Sequence, residues 1–269
     1  MTFDLRKIDL DVLNSITKYP SIPTYHTLDP GNGVLGEEHV VFPPGSEVVA
    51  TEKINGTNAR IILTPDGQWL IGSREAWLSA KGDLIANPAE GIVDALCGMA
   101  ETVLYKRQRR PVGIRVSDIL VLYAEVYGDR ISGWQQYVGR NRGAGFRLFD
   151  AMVLNPEDEV FRWPREKIAG WRSRGGQPFL NRNSLSVVAH QYDLPMVPLL
   201  FKVPAEQIPE TLLDMQYFMS SYRATQATLD GTIGKSEGMV LRTPGRDVIA
   251  KARFEDYHRS LRRRQGASR

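Results

Sequence analysis

Nearly every strand-like run in this chain has a charged residue set into it, and that combination limits the folds open to it. Lys53 is flanked by the β-branched pairs Val48-Val49 and Ile61-Ile62, and Glu125 lies between Ala124 and Val126. Asp150 follows Phe149, and Glu237 opens the run Glu-Gly-Met-Val-Leu-Arg. Lys251 sits in Val-Ile-Ala-Lys-Ala-Arg, with Arg253 two residues on and therefore on the same strand face. A charge in a half-buried strand needs a partner or a function. A single one fits an outward-facing side chain. Five or more, of both signs, predict a polar cleft lined by sheet.

The strand signals also lie in neighbouring runs. Strands are expected near 47–53 and 58–64, joined by a turn at Asn55-Gly56, and a third returns over 68–72 after the turn signal Pro65-Asp66-Gly67. Asn87-Pro88 marks a helix start, and Ile92, Val93, Leu96, Met99, Ala100, Val103 and Leu104 follow at helical spacing with Cys97 beside the stripe. Residues 118–127 and 145–154 read as strands, and a short helix follows Pro164. A second helix covers about 207–222, with Ile208, Leu212, Met215 and Met219 on one face. Residues 237–242 and 247–253 form a hairpin across Thr243-Pro244-Gly245-Arg246, and a basic helix runs over about 254–264. Residues 19–46, rich in Pro, Gly and Ser, read as an irregular lead-in with one short strand. Adjacent strands outnumbering helices predict an α+β fold of antiparallel sheets flanked by helices, not a doubly wound sheet. No repeat or linker divides the chain, so residues 1–269 are expected to form a single domain.

Composition excludes several classes. With 269 residues, 42% hydrophobic and 24% charged, the chain is an ordinary globular one, and no apolar run is long enough to cross a bilayer. One cysteine rules out an internal disulfide and, with no signal pattern at the N-terminus, fits a reducing, cytoplasmic setting. The four histidines lack metal-ligand spacing. Net charge is only +3, yet basic residues cluster over 106–115, 140–147, 162–174 and 259–269. Such clusters serve as solvated faces or as patches for polyanions, and composition does not separate the two.

A cleft with these residues has the parts for phosphate chemistry. Lysines and arginines hold phosphates, an aromatic such as Phe149 stacks on a base, and carboxylates hold hydrated Mg²⁺, which takes only one or two of them. Lysine attacks only as the neutral amine, and a free lysine is neutral in roughly one molecule in a few thousand at neutral pH. Cations at Lys251 and Arg253 favour the neutral form of a neighbouring amine; bound ATP opposes them and a metal counters ATP. By position alone Lys53 better fits a strand-end surface lysine, Phe149 equally fits a core aromatic, and Glu125 and Glu237 fit structural ion pairs. Gly234-Lys235-Ser236 is no phosphate loop, because Leu229 stands where its first glycine belongs.

Together the motifs are specific. Glu52-Lys53-Ile54-Asn55-Gly56-Thr57-Asn58 resembles the nucleophile motif of ATP-dependent RNA ligases of the type represented by the second RNA ligase of bacteriophage T4. Ser73-Arg74, Tyr123-Ala124-Glu125-Val126-Tyr127-Gly128, Phe146 to Asp150, Glu237 to Arg242, and Lys251-Ala252-Arg253 resemble the motifs that follow, in order, over about residues 47–260. The resemblance implies a nucleotidyltransferase (ATP-grasp-like ligase) domain that joins 5′-phosphate and 3′-hydroxyl RNA ends. Lys53 would carry AMP, pass it to the RNA 5′-phosphate, and the 3′-hydroxyl would displace it. The resemblance further implies Glu52 beside the adenine and Phe149 stacked on it, with Asn58 and Arg74 on sugar, phosphate or RNA end. Glu125 and Glu237 would take ribose or the waters of Mg²⁺ or Mn²⁺, Asp150 would orient the site, and Lys251 and Arg253 would hold the α-phosphate.

Two positions depart from the family. Asn55 stands where many relatives have Asp, and Arg253 where Lys is frequent. The short stretch after Lys251 leaves no room for the β-barrel (OB) domain of DNA ligases and capping enzymes or the helical domain of the T4-like ligase. A catalytic domain that works with a separate protein partner is therefore expected. The competing expectations are a DNA ligase, an mRNA-capping-like nucleotidyltransferase and a non-catalytic RNA-end-binding subunit.

Overall fold

The computed structural model describes residues 3–80, 83–86, 91–109, 113–128, 131, 133–139 and 143–267. The expected helix start at Asn87-Pro88, and Arg110, Arg140, Arg142 and Arg269 of the basic clusters, lie outside the described residues. In chain order the helices are α1 (Leu10–Thr17), α2 (Ile92–Arg109), α3 (Arg165–Ser173), α4 (Arg182–Tyr192), α5 (Leu212–Ser220) and α6 (Phe254–Ala267). The strands are β1 (His26–Leu28), β2 (Leu35–His39), β3 (Glu47–Lys53), β4 (Thr57–Leu63), β5 (Trp69–Ser73), β6 (Trp77–Ala80), β7 (Asp83–Leu84), β8 (Ile119–Gly128), β9 (Ala144–Leu154), β10 (Leu199–Pro204), β11 (Gly238–Arg242) and β12 (Ile249–Arg253). The fold is α+β, with antiparallel sheets flanked by helices, and the chain forms two compact units.

The first unit comprises Met1–Ser21, Gly56–Trp134 and Arg142–Met196. Its sheet has the order β7-β6-β5-β4-β8-β9 with every pair antiparallel. Strand alternation sends Ala59, Ile61 and Leu63 of β4 to one face, where Leu96, Met99, Ala100, Val103 and Leu104 of α2 cover them and Leu185 and Val188 of α4 join the same core. Each large aliphatic side chain buried there contributes about 1.5–3 kcal/mol.

The opposite face of β4 carries Arg60, fully buried in a central strand. Its Nη1 donates to the Asn14 carbonyl at 3.2 Å and to Thr17 Oγ1 at 3.1 Å, and its Nη2 donates to the Asn14 side-chain oxygen. The guanidinium lies 4.3 Å from the centre of the Trp77 ring. Burial pushes its pKa down to about 10, so it remains a cation at neutral pH. Tyr123 Oη donates to the Thr17 carbonyl at 2.8 Å beside it. Arg60 and Tyr123 thus tie α1 to the sheet. Arg60→Met keeps the apolar stem and leaves these acceptors without their donor, so the urea midpoint is expected to fall by about 3 kcal/mol of stability; an unchanged midpoint would show that α1 is held by packing alone.

The second unit comprises Ile22–Asn55, Gln135–Asn141 and Val197–Arg269. Its main sheet has the order β10-β3-β11-β12, all antiparallel, and β1 and β2 form a separate pair. Val48 and Ala50 of β3, Met239 and Leu241 of β11, and Ala250 and Ala252 of β12 face a core with Leu212, Met215 and Met219 of α5 and Tyr257 of α6. Thr211 caps α5 by accepting from the Asp214 N–H at 3.1 Å, so the helix is shorter than the expected 207–222.

His26 is fully buried in this unit, with Nδ1 2.6 Å from Tyr257 Oη and Nε2 2.9 Å from the Glu210 carbonyl. Burial pushes its pKa below the ordinary 6.5. The folded state therefore binds fewer protons than the unfolded one, so stability is full above pH 6.5 and is lost as pH falls from there toward the depressed value. His26→Gln should flatten the loss of stability between pH 7.5 and 5 in urea unfolding. Equal losses in the two proteins would rule His26 out as its source.

Several features differ from the sequence expectations. Asn55-Gly56 does not close a hairpin: β3 pairs in the four-stranded sheet and β4 in the six-stranded one. A Cβ on Gly56 would lie 2.4 Å from the Val126 carbonyl oxygen, so the chain runs close against β8 there instead of turning back on itself. The lead-in holds two short strands, not one, and α1, capped by Asp9, precedes it. Helix α4 and strand β10 also escaped the sequence reading. Among the described residues no helix is long and apolar enough to cross a membrane.

Candidate active site

The four-stranded sheet aligns most of the charged motif residues of the second unit. The registers place Lys53, Gly238 and Arg253 on one rung and Thr51, Val240 and Lys251 on the next rung of the same face. The expected pairing of Lys251 and Arg253 on one face is therefore present, and both are half-buried while Ala250 and Ala252 between them point into the core. With strands about 4.8 Å apart, Lys53 and Arg253 stand about 10 Å apart at the backbone.

Lys53 ends β3 with its side chain 23% exposed, and its Nζ donates to Glu237 Oε2, itself on a side chain 23% exposed. The Glu237 N–H donates to the Lys53 carbonyl at 3.1 Å, and the Phe254 N–H donates to the Glu237 carbonyl at 3.1 Å. Glu237 is thus fixed by backbone on both sides as well as by its ion pair. An ammonium that donates to a carboxylate has no lone pair to offer, so nucleophilic use of Lys53 requires this pair to open.

Arg253 is held by Asp256, which sequence reasoning missed. Its Nε donates to Oδ2 at 2.7 Å and its Nη2 to Oδ1 at 3.1 Å, a two-pronged contact to a carboxylate that is only 3% exposed. Arg259 donates to the same Oδ1 at 2.6 Å. The spacing Arg-x-x-Asp across the strand-to-helix junction was the available signal.

Glu52 faces away from Lys53 by strand alternation and is buried. Its carboxylate accepts from Thr225 Oγ1 and from the Gln226 N–H, the latter at 2.8 Å. These two partners lie more than 170 positions away in sequence, with no local signal to announce them. Nearby, the Asn55 N–H donates to Oη of the buried Tyr137 at 2.6 Å.

The remaining motif residues belong to the first unit. Asn58, Glu125 and Arg147 share one rung across β4, β8 and β9. The Asn58 side-chain oxygen is buried without a hydrogen-bond partner among the described residues, a polar atom whose cost a bound ligand would relieve. Simple alternation would put Phe149 and Asp150 on opposite faces. A register shift in β9 opposite Tyr123 leaves Phe149 as the extra residue, and both side chains reach Tyr19. Tyr19 Oη donates to the fully buried Asp150 at 2.9 Å, and its ring meets the half-buried Phe149 edge-on with centroids 5.0 Å apart. Tyr19 is a second residue the sequence did not single out. Arg74, in the turn after β5, donates through Nη2 to Ser21 Oγ at 2.7 Å.

Among the described residues no three His, Cys, Asp or Glu side chains gather to cage a metal. The donor set instead offers single carboxylates, with Glu237 next to the Lys53 amine, which suits an ion that keeps most of its waters and reaches the protein through one or two carboxylates.

The sequence model of the RNA ligase family matches residues 46–253. No curated protein sequence matches the chain. Among solved structures, the fold is similar to a lysine-to-alanine variant of the Naegleria gruberi RNA ligase with ATP and Mn, at 16% identity and TM-score 0.54 over 90% of this chain and 57% of that one. An aspartate-to-alanine variant of the same ligase without ligand gives 16% identity and TM-score 0.54 over 93% and 58%. The same ligase with pyrophosphate gives 15% and 0.52 over 91% and 64%. The chain spans about three-fifths of the length of these structures.

Proposed function

The chain belongs to the RNA ligase family, and we propose that it is an ATP-dependent RNA ligase that joins 5′-phosphate to 3′-hydroxyl RNA ends, on the branch typified by the second RNA ligase of bacteriophage T4. The observation that carries this reading is Lys53 held against Glu237 on the sheet face that also presents Lys251 and Arg253.

In the proposed first step Glu237 releases Lys53, the Nζ loses a proton and attacks the α-phosphorus of ATP, a P–N bond forms, and the bond to pyrophosphate breaks. In the second, an oxygen of the RNA 5′-phosphate takes the AMP from Nζ and the lysine is regenerated. In the third, the 3′-hydroxyl attacks the activated 5′-phosphorus, loses its proton, and AMP leaves. Lys251 and Arg253 steady the charge on the α-phosphate, and Asp256 keeps the Arg253 fork in a fixed orientation. Glu52, bonded by Thr225 and Gln226, fixes the strand end beside the adenine. Phe149 stacks on the base, Asn58 and Arg74 serve sugar, phosphate or RNA end, Glu125 serves ribose, and Asp150 orients Phe149 through Tyr19.

Glu237, and Glu125 in its own unit, would hold Mg²⁺ or Mn²⁺ through water. The ion supplies neutralisation of phosphate charge. Asn55 would offer such an ion a neutral acceptor without charge, which would leave the glutamates to set affinity. The reading includes a cytoplasmic setting and a separate protein partner for full sealing.

The test is incubation with Mg²⁺ or Mn²⁺ and labelled ATP or GTP, followed by a denaturing gel and by sealing of 5′-phosphorylated strands. A covalent adduct with ATP and joined RNA support the proposal. GTP preference would indicate capping chemistry, exclusive sealing of DNA a DNA ligase, and RNA binding without any adduct a non-catalytic end-binding subunit.

A further inference from the structure

The second unit has an open groove of about 580 Å³ lined by Asn55, Glu237, α5 and the start of α6. That volume accommodates a nucleotide. Its walls combine cations with exposed aromatic surface. Arg223 and Lys235 are exposed and form no ion pair among the described residues. His258 adds a third basic side chain, while the Glu255 carboxylate is turned to Arg259 at 3.6 Å. Tyr217, 82% exposed, and Leu213, 65% exposed, stand one helical turn apart on α5. A tyrosine left this open on a helix whose other face fills the core gains nothing for folding.

The backbone makes the groove a fixed one. The segments carrying the two cations are paired antiparallel, with Ala224 bridged to Lys235, the Ser236 N–H donating to the Arg223 carbonyl at 3.0 Å and the Thr225 N–H to the Gly234 carbonyl at 3.1 Å. The Lys235 N–H also donates to Gln136 Oε1 at 2.8 Å. A Cβ at Gly234 would lie 1.9 Å from the Gln136 carbonyl oxygen, so the close approach there depends on glycine. The Arg223 guanidinium lies 5.7 Å from the centre of the Phe254 ring. Glu237, the partner of Lys53, is among the residues that line the groove, which places the groove beside the proposed nucleophile.

We propose that this groove binds a single-stranded RNA end, with a base stacked on Tyr217 and the flanking phosphates on Arg223 and Lys235. Unpaired cations select a polyanion, and an exposed aromatic beside them selects a strand whose bases are free to stack. The choice of RNA as the polyanion rests on the ligase reading; the groove geometry does not.

Fluorescence anisotropy with a 5′-phosphorylated single-stranded RNA of about twelve nucleotides, at several salt concentrations, tests it. Tyr217→Ala should weaken binding about tenfold, and Tyr217→Phe, which keeps the stacking ring, should restore it. Arg223→Ala combined with Lys235→Ala should lower the slope of log affinity against log salt by roughly 0.7 per removed cation, whereas Lys202→Ala on β10 should leave affinity and slope as in the wild type. Wild-type affinity and slope in both the Tyr217→Ala and the double variant would overturn the proposal. The labelled-ATP adduct is measured on the same wild-type preparation. Tyr217-dependent RNA binding without any adduct would sink the ligase reading and leave the groove assignment standing.

Discussion

Lys53→Ala is expected to abolish the labelled AMP adduct, a loss of at least about a thousandfold, because no other group in the proposed scheme forms the P–N bond. Lys53→Arg sharpens the result. Arginine keeps a cation against Glu237, so the ion pair and its small share of stability persist, but guanidinium stays protonated and does not attack phosphorus. Both variants should therefore lose the adduct, and only the alanine variant should also lose the ion pair, a modest effect because both side chains are 23% exposed. Pre-adenylated RNA offered to Lys53→Ala bypasses the nucleophile, and sealing of that substrate should survive in part. An adduct that persists in Lys53→Arg would transfer the covalent role to another residue and remove the basis of the proposed function.

The distance between sequence and site can be located residue by residue. Lys251 and Arg253 on one face followed from the two-residue period of a strand, which needs no knowledge of the rest of the fold. The strands carrying Lys53, Glu125 and Glu237 were legible for the same reason, since β-branched and aromatic runs with turn residues between them are local signals. What failed was whatever depended on distant chain or on a break in period. That Glu52 is buried, turned from Lys53 by alternation and bonded by Thr225 and Gln226 had no local signal. Phe149 and Asp150 reach the same neighbour only because of an extra residue in β9, and a bulge leaves little trace in composition. Asn55-Gly56 carried the dipeptide of a tight hairpin, but the pairing of β3 and β4 with different sheets overrode it. The charged strand residues were thus identifiable by type, while the groups bonded to them, Asp256, Tyr19 and Thr225, were not.

Gly238→Ala is expected to be strongly damaging to the four-stranded sheet of the second unit. Gly238 stands between Lys53 and Arg253 on their rung, in the central strand β11. An added Cβ would lie 2.0 Å from the Ala252 carbonyl oxygen, 2.8 Å from the Arg253 Cα and 2.9 Å from the Ala252 carbonyl carbon. All three are backbone atoms, so no rotamer change relieves the overlap, and β11 and β12 must move apart where Lys251 and Arg253 are presented. Separating them strains a ladder whose other face packs Met239 and Ala252 into the core, so the cost should reach about 3 kcal/mol or more. It should appear as a lower urea midpoint with the slope little changed. The same shift reaches chemistry, because Glu237 precedes Gly238 and its backbone is bonded to Lys53 on one side and Phe254 on the other. Under conditions where the variant remains folded, adduct formation should fall along with stability. An alanine variant with wild-type midpoint and adduct yield would mean that the two strands have room to part, and that the absence of a side chain between Lys53 and Arg253 is not what sets their spacing.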